Sequence, residues 1–251
     1  MNSIFSFYRI KLLAIRYFAE HGRQDLITLA AFFITFAFMP RLLSIPLIPS
    51  SFILFCFVLF IGGMRFTARI FHEIHQPASG MHYMHIPASS LEKFLLNGMF
   101  TLFVYPIACL LVYYGGTLFG NLLEPIMPTF LNYRIISLSS LMPEMYMKKV
   151  ISQYVFFQSI FFLGSLVFKK HPTTKTFLSY MLFGFVVGVI QMIIIRLMWS
   201  NTDLFANIDA KSITQWIEDS LWLTYLSYLC FAVTVVFFWI VSYFKLKEKQ
   251  V

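Results

Sequence analysis

Charge is what this chain has least of. Asp, Glu, Lys and Arg make up only 12% of its 251 residues, where a soluble domain carries about 25%. Hydrophobic residues reach 59%, with 31 Phe, and the mean hydropathy is +0.76. That deficit excludes a soluble globular domain and leaves an all-α integral membrane protein. The sequence also lacks GxxxxGK[ST], so it has no phosphate-cradling loop of the usual kind, and any use of ATP falls to a partner. It lacks HExxH. Its three cysteines, Cys56, Cys109 and Cys230, form no CxxC or metal spacing; they read as small buried hydrophobes, which argues against redox chemistry. A basic start followed by an apolar run is missing from the N-terminus, so no cleavable signal is expected and the first span must direct insertion.

What is present is long apolar runs. Residues 94–123, 150–168, 176–195 and 220–244 hold no charge, and each approaches or exceeds the 20 or so residues a helix needs to cross a hydrocarbon core. Residues 26–64 carry only Arg41, together with Pro40, Pro46 and Pro49. That stretch is too long for one span and sufficient for two joined by a proline-rich bend. Six spans result, at about 24–44, 50–70, 97–119, 150–168, 176–197 and 220–244, in a single domain covering residues 1–251. Charge supports the count. Arg9, Lys11, Arg16, Arg23, Arg65, Arg69, Lys93, Lys169, Lys170, Lys175, Lys245, Lys247 and Lys249 fall on one side, and Arg41, Arg134, Lys148, Lys149 and Lys211 on the other. The positive-inside rule therefore puts both termini on the cytoplasmic side of a multi-pass membrane protein. The net charge of +8 is then accounted for by orientation and by anionic lipid, with no nucleic-acid partner.

Residues 3–24 read as an interfacial helix. Arg9, Arg16 and Arg23 recur every seven residues and share a face with Glu20, while Ile10, Ala14, Tyr17 and Phe18 lie opposite. The outer loop 120–149 is expected to pack on the spans, and the second, 200–219, has Ser212 and Gln215 in capping-box spacing near Trp216 and Trp222, as suits a short helix at the interface. His72, His75, His82 and His85 form two HxxH pairs beside Glu73; with no further ligand spaced to close a site, they read as surface polar residues and no metal is expected. Arg196 ends an uncharged run, which makes it a pathway candidate, although its place at the edge favours snorkelling to the headgroups. Gly184 and Gly188 give a GxxxG that would let helices approach closely.

The most informative stretch is HYMHIPASSLEKFLLN, residues 82–97. Ser89 followed by Glu92 has capping-box form, so a helix should begin at Ser90. Pro87 disfavours helix just upstream, and Asn97-Gly98 is a natural stop. About two turns remain, too few to stand alone. PASSLEKFL at 87–95, GSLVFKKHPTTKTF at 164–177 and FKLKEKQV at 244–251 together resemble type-2 ABC transporter permeases of Bacteroidetes. His171-Pro172-Thr173-Thr174 departs from the hydrophobic residues usual after FKK in that family.

The resemblance implies a type-2 ABC exporter fold and a permease that pairs with a second copy or a paralogue and docks two ATPase subunits. Those subunits would bind ATP and Mg; this chain would bind no cofactor. The helix from Ser90 would be the cytoplasmic coupling helix between spans 2 and 3. Pro87, Ser89, Ser90, Leu91, Glu92, Lys93, Phe94 and Leu95, with Lys169 and Lys170, would be the coupling residues. Leu91, Phe94 and Leu95 would then sit in a partner groove, with Glu92 and Lys93 at its rim. Arg9, Arg16 and Arg23 would hold the membrane interface. An elbow that merely starts the third span would use the same capping box. The Phe-rich, charge-poor spans point to an apolar or amphipathic cargo. A reading from another class is an integral-membrane enzyme or sensor that uses the cytoplasmic histidines.

Overall fold

The computed structural model describes residues 6–42, 50–76, 80, 83, 85–122, 144–199 and 221–249. The helices are α1 (Phe7–Leu42), α2 (Ser50–Phe57), α3 (Gly63–Arg69), α4 (Ser90–Met99), α5 (Tyr105–Leu122), α6 (Glu144–Val167), α7 (Pro172–Trp199) and α8 (Leu221–Glu248). A π turn, Val58–Gly62, joins α2 to α3, another, Phe100–Val104, joins α4 to α5, and a 3-10 turn spans His72–His75. The described residues contain no strand. Five helical runs among them are long and apolar enough to cross a membrane: Phe7–Met39, Ser90–Leu122, Met147–Val167, Pro172–Ile194 and Tyr228–Glu248. The outer loops, His82 and the second capping box lie largely or wholly outside the described residues.

Two boundaries differ from expectation. Residue 24 is not a joint: the expected interfacial helix and first span are one helix of 36 residues. At 1.5 Å per residue α1 is about 54 Å long, well beyond a 30 Å hydrocarbon core. It stays continuous because both halves bury side chains against the rest of the bundle, Leu13 in the first and Phe36 and Ala37 in the second. The second difference is at Asn97-Gly98. The helix does begin at Ser90, but it runs through both residues into the span. Asn97 is buried, and its amide lies 3.4 Å from the Tyr83 hydroxyl. One turn later the Thr101 hydroxyl donates to the carbonyls of Asn97 (3.0 Å) and Gly98 (3.1 Å). Local stop preference is weak against such tertiary contacts.

The π turns need outside help, because an extra residue in a turn disturbs the regular i→i−4 ladder and leaves carbonyls to find new donors. Two tyrosines supply them. The Tyr105 hydroxyl donates to Val58 C=O at 2.8 Å, and the Tyr154 hydroxyl to Thr101 C=O at 2.6 Å. Gly62 makes the first contact fit, since a Cβ there would overlap the Tyr105 hydroxyl. The surrounding core is Phe36, Phe55, Val58, Leu59, Tyr105, Cys109, Tyr113 and Tyr154. Of the cysteines only Cys109 is buried; Cys230 is exposed. Other close glycine approaches are Gly63 against Tyr154, Gly116 against the Phe33 carbonyl and Phe36, and Gly164 against Thr176, whereas Gly184 and Gly188 meet nothing within 4 Å.

Candidate functional site

One end of the bundle gathers the starts of α1, α4 and α7, the ends of α3, α6 and α8, and the His72–His75 turn. Glu92 is its centre and is fully buried. As the third residue of α4 it completes the capping box: the Ser89 hydroxyl accepts from Glu92 N–H (3.2 Å), and Glu92 Oε2 accepts from Ser89 N–H (2.8 Å). Glu92 Oε1 reaches further, accepting from Ser6 N–H at 2.7 Å and lying 3.2 Å from the Arg9 guanidinium. Ser6 C=O in turn takes the first turn bond of α1, from Ile10 N–H. One carboxylate therefore caps two helices and sits where both dipoles favour negative charge.

Lys93 points to the other side. Its ammonium donates to the Tyr83 carbonyl at 2.9 Å and lies 4.9 Å from the centre of the Tyr83 ring. Burial pushes the Tyr83 phenol above its ordinary range. Glu92 and Lys93, expected at a partner's rim, are thus internal struts. Phe94 is half-buried, edge-on to Phe162 of α6 (5.3 Å) and Tyr243 of α8 (5.6 Å). Of the expected coupling residues, Pro87 and Leu95 are exposed and Ser89, Ser90 and Leu91 are half-buried. Lys169 and Lys170 are exposed on the α6–α7 turn, where His171 adopts φ 52°. Arg196 is exposed in the last turn of α7, far along that helix from this junction.

The C-terminus of α6 is closed by groups distant in sequence. The imidazole Nε2 of His75 lies 2.8 Å from Ser165 C=O, and the ammonium of Lys249 donates to Leu166 C=O at 2.5 Å. Lys249 also lies 3.2 Å from His75 Nδ1. These contacts assign the neutral tautomer with the proton on Nε2, leaving Nδ1 to accept. Burial holds the His75 pKa below its ordinary value, the Ser165 carbonyl opposes that, and Lys249, His72 and Lys169 reinforce it. Burial, with Lys169 and Lys245 nearby, likewise holds Lys249 low.

The arginines of α1 divide. Arg9 binds Glu92, and Arg16 pairs with Glu20 (2.7 Å) and Glu73 (3.6 Å). Arg23 is exposed. The face turned outward near the N-terminus is apolar instead, with Tyr8, Leu12 and Ile15 exposed. Glu20, His21 and Glu73 bring ligand atoms within 4.8 Å of one another, but Arg16 already pairs with both carboxylates, and His21 Nε2 lies 3.3 Å from Glu73. No metal-ligand group of three among the described residues includes His72, His75 or His85.

Sequence reading missed Tyr83, Gln158 and the paired tyrosines, and it set Glu73 beside the histidines and not opposite Arg16. Gln158 Nε2 donates to the Thr101 hydroxyl at 2.8 Å, and Trp239 Nε1 donates to Gln158 Oε1 at 3.2 Å, so a buried polar chain links α6, α8 and the second π turn. A glutamine inside an apolar run was the available signal. Two sizeable cavities open near the junction. One, about 450 Å³, lies between α1 and α3, closed by Tyr105 of α5, and is lined by Tyr17, Asp25, Ile27, Phe32, Phe66 and Tyr105 among others. The other, about 610 Å³, lies between α3 and the α6–α7 turn. No family model matches this chain, and no curated protein or solved structure matches it.

Proposed function

We propose that this chain is the membrane-spanning subunit of an ATP-driven exporter, working with a separate ATPase and a second permease copy or paralogue. The observation that carries the reading is convergence. Three segments resemble the permease family, and all three meet at the Glu92 junction: Phe94 touches Tyr243 beside the tail, and Lys249 of the tail caps Leu166 beside FKK. A junction that ties four helices together is what force transmission from a peripheral motor needs. Residues near both chain ends, Ser6 and Lys249, bond into that same end, as an even number of crossings requires; α2, its π turn and α3 supply the sixth. The basic side chains gathered there favour a cytoplasmic face for that end under the positive-inside rule, with the protein in the inner membrane of the proposed exporter. α7 leaves a long apolar face open, with none of its apolar window buried, which suits lipid or a second copy.

Phe94 in this reading transmits instead of docking. The start of α4 is an elbow and a coupling element at once, presenting Pro87 and Leu91 to the ATPase while Glu92 and Phe94 relay its movement inward. The test is co-expression with an ABC ATPase of the same genome, tagged for capture. The ATPase should retain the permease, and Leu91→Asp should lower retention per folded permease, while Phe94→Ala lowers the amount of folded permease without changing that ratio. Failure of the parent permease to be retained by any such ATPase would refute the proposal.

A further inference from the structure

The cavity between α3 and the α6–α7 turn is basic. Arg65, Arg69, His72, Lys169, Lys170 and His171 line it, all are exposed, and none of its four Lys and Arg side chains makes an ion pair with a carboxylate among the described residues. Elsewhere at this end Arg9 has Glu92, Arg16 has Glu20 and Glu73, and Lys245 has Glu248 at 2.8 Å. Four permanent cations around about 610 Å³ repel one another unless an anion lies between them. Arg65 and Arg69, one helical turn apart, also line the neighbouring 450 Å³ cavity, whose walls include Ile27, Ala31, Phe32 and Phe66. Asp25 lies in that second cavity but accepts the Tyr17 hydroxyl at 3.2 Å.

A basic cleft that meets, at two arginines, a chamber with Ile27, Phe32 and Phe66 along one part of its wall suits an occupant with an anionic head and an apolar tail. We propose that this composite cavity binds an anionic membrane phospholipid, its phosphate held by Arg65, Arg69, Lys169 and Lys170 and part of an acyl chain lying against Phe32 and Phe66. Arginine gives the phosphate bidentate, planar recognition, and the lysines add point charge. The location agrees, because Pro172 starts an apolar helix fit to cross the membrane and so puts the cleft at headgroup depth. This inference does not rest on the transport reading.

The experiment uses the full chain in detergent, without an ATPase, and a fluorescent phosphatidylglycerol, with phosphatidylcholine and inorganic phosphate as competitors. Phosphatidylglycerol should bind saturably and phosphatidylcholine should compete poorly. Each basic residue near such a site contributes about five-fold, so Lys169→Gln with Lys170→Gln should weaken binding by roughly 30-fold. Those two side chains lie on an exposed turn, so the pair should leave the melting temperature in place. Ala31→Phe, which fills the apolar chamber, should weaken phosphatidylglycerol with its charges intact. Lys245→Gln, at the same end but outside the cleft, should change little. Equal binding of phosphatidylcholine, displacement by inorganic phosphate at concentrations equal to the lipid, or an equal loss in Lys245→Gln would overturn the assignment.

Discussion

Glu92→Gln removes one charge and almost no volume, so it isolates what the double cap does. The carboxylate has three donors to satisfy: Ser89 N–H on one oxygen, Ser6 N–H and the Arg9 guanidinium on the other. Glutamine keeps one oxygen. Whichever way its amide turns, an NH2 faces a donor, and the less costly choice keeps oxygen toward Ser6 and Arg9 while stranding Ser89 N–H. Hydrogen bonds to a charged group contribute about 1.5–3 kcal/mol each and are not additive. The Arg9 side chain is 33% exposed, so its share is discounted toward the 0–1 kcal/mol of a surface pair. Glu92→Gln should therefore cost about 2 kcal/mol, and Glu92→Ala, which strands both backbone donors, about 3–4 kcal/mol. Ser89→Ala removes a single cap bond and should cost about 1 kcal/mol. Thermal unfolding of purified variants, followed by loss of the monodisperse peak, should rank them Ala, Gln, then Ser89→Ala. Glu20→Gln, at an exposed pair on α1, is the control and should be near neutral. If Glu92→Gln is no more damaging than Glu20→Gln, the junction is not held by this carboxylate and the reasoning fails.

Gly62→Ala places a methyl group where the Tyr105 hydroxyl lies, so it should break the bond to Val58 C=O and destabilise by roughly 2–3 kcal/mol, whereas Gly98→Ala, at a glycine with open space, should be neutral or slightly stabilising in the same unfolding assay. His75 is held neutral, its pKa depressed from the ordinary 6.5; its contribution is complete above that value and is lost as pH falls through and below it. Unfolding temperature should thus drop on acidification from pH 7 to about pH 5, and His75→Gln should flatten that drop; an identical slope in the variant would exclude His75. With native cysteines replaced, single cysteines at Ser3, Ser79 and Gln250 should resist an impermeant thiol reagent in intact spheroplasts and one at Ser212 should react, following the Lys/Arg asymmetry; labelling at Gln250 from outside would contradict a cytoplasmic C-terminus.

Some of this molecule is written in short-range terms. Composition alone places the chain in a membrane, because hydropathy sums residue by residue. The uncharged runs mark α6, α7 and α8 closely, and Ser89 with Glu92 marks the start of α4, because a cap is made within one turn. Other features depend on residues far apart and leave no periodic trace. Glu92 meets Ser6 across 86 positions, and Lys249 meets His75 across 174. Only folding shows that Arg9 and Arg16 turn toward Glu92 and Glu73 while Arg23 stays exposed, so a seven-residue repeat that reads as one polar surface face is divided. Asn97-Gly98 would end a helix in isolation; Tyr83 and Thr101 keep it going. The glycines carry the same lesson. Gly184 and Gly188 have the contact motif and nothing within 4 Å, while Gly62 and Gly164 have no such motif and lie against neighbouring side chains. Sequence sets which local structures are affordable to each segment, and tertiary packing selects among them, because a buried carboxylate or carbonyl must find its donor wherever in the chain that donor happens to be.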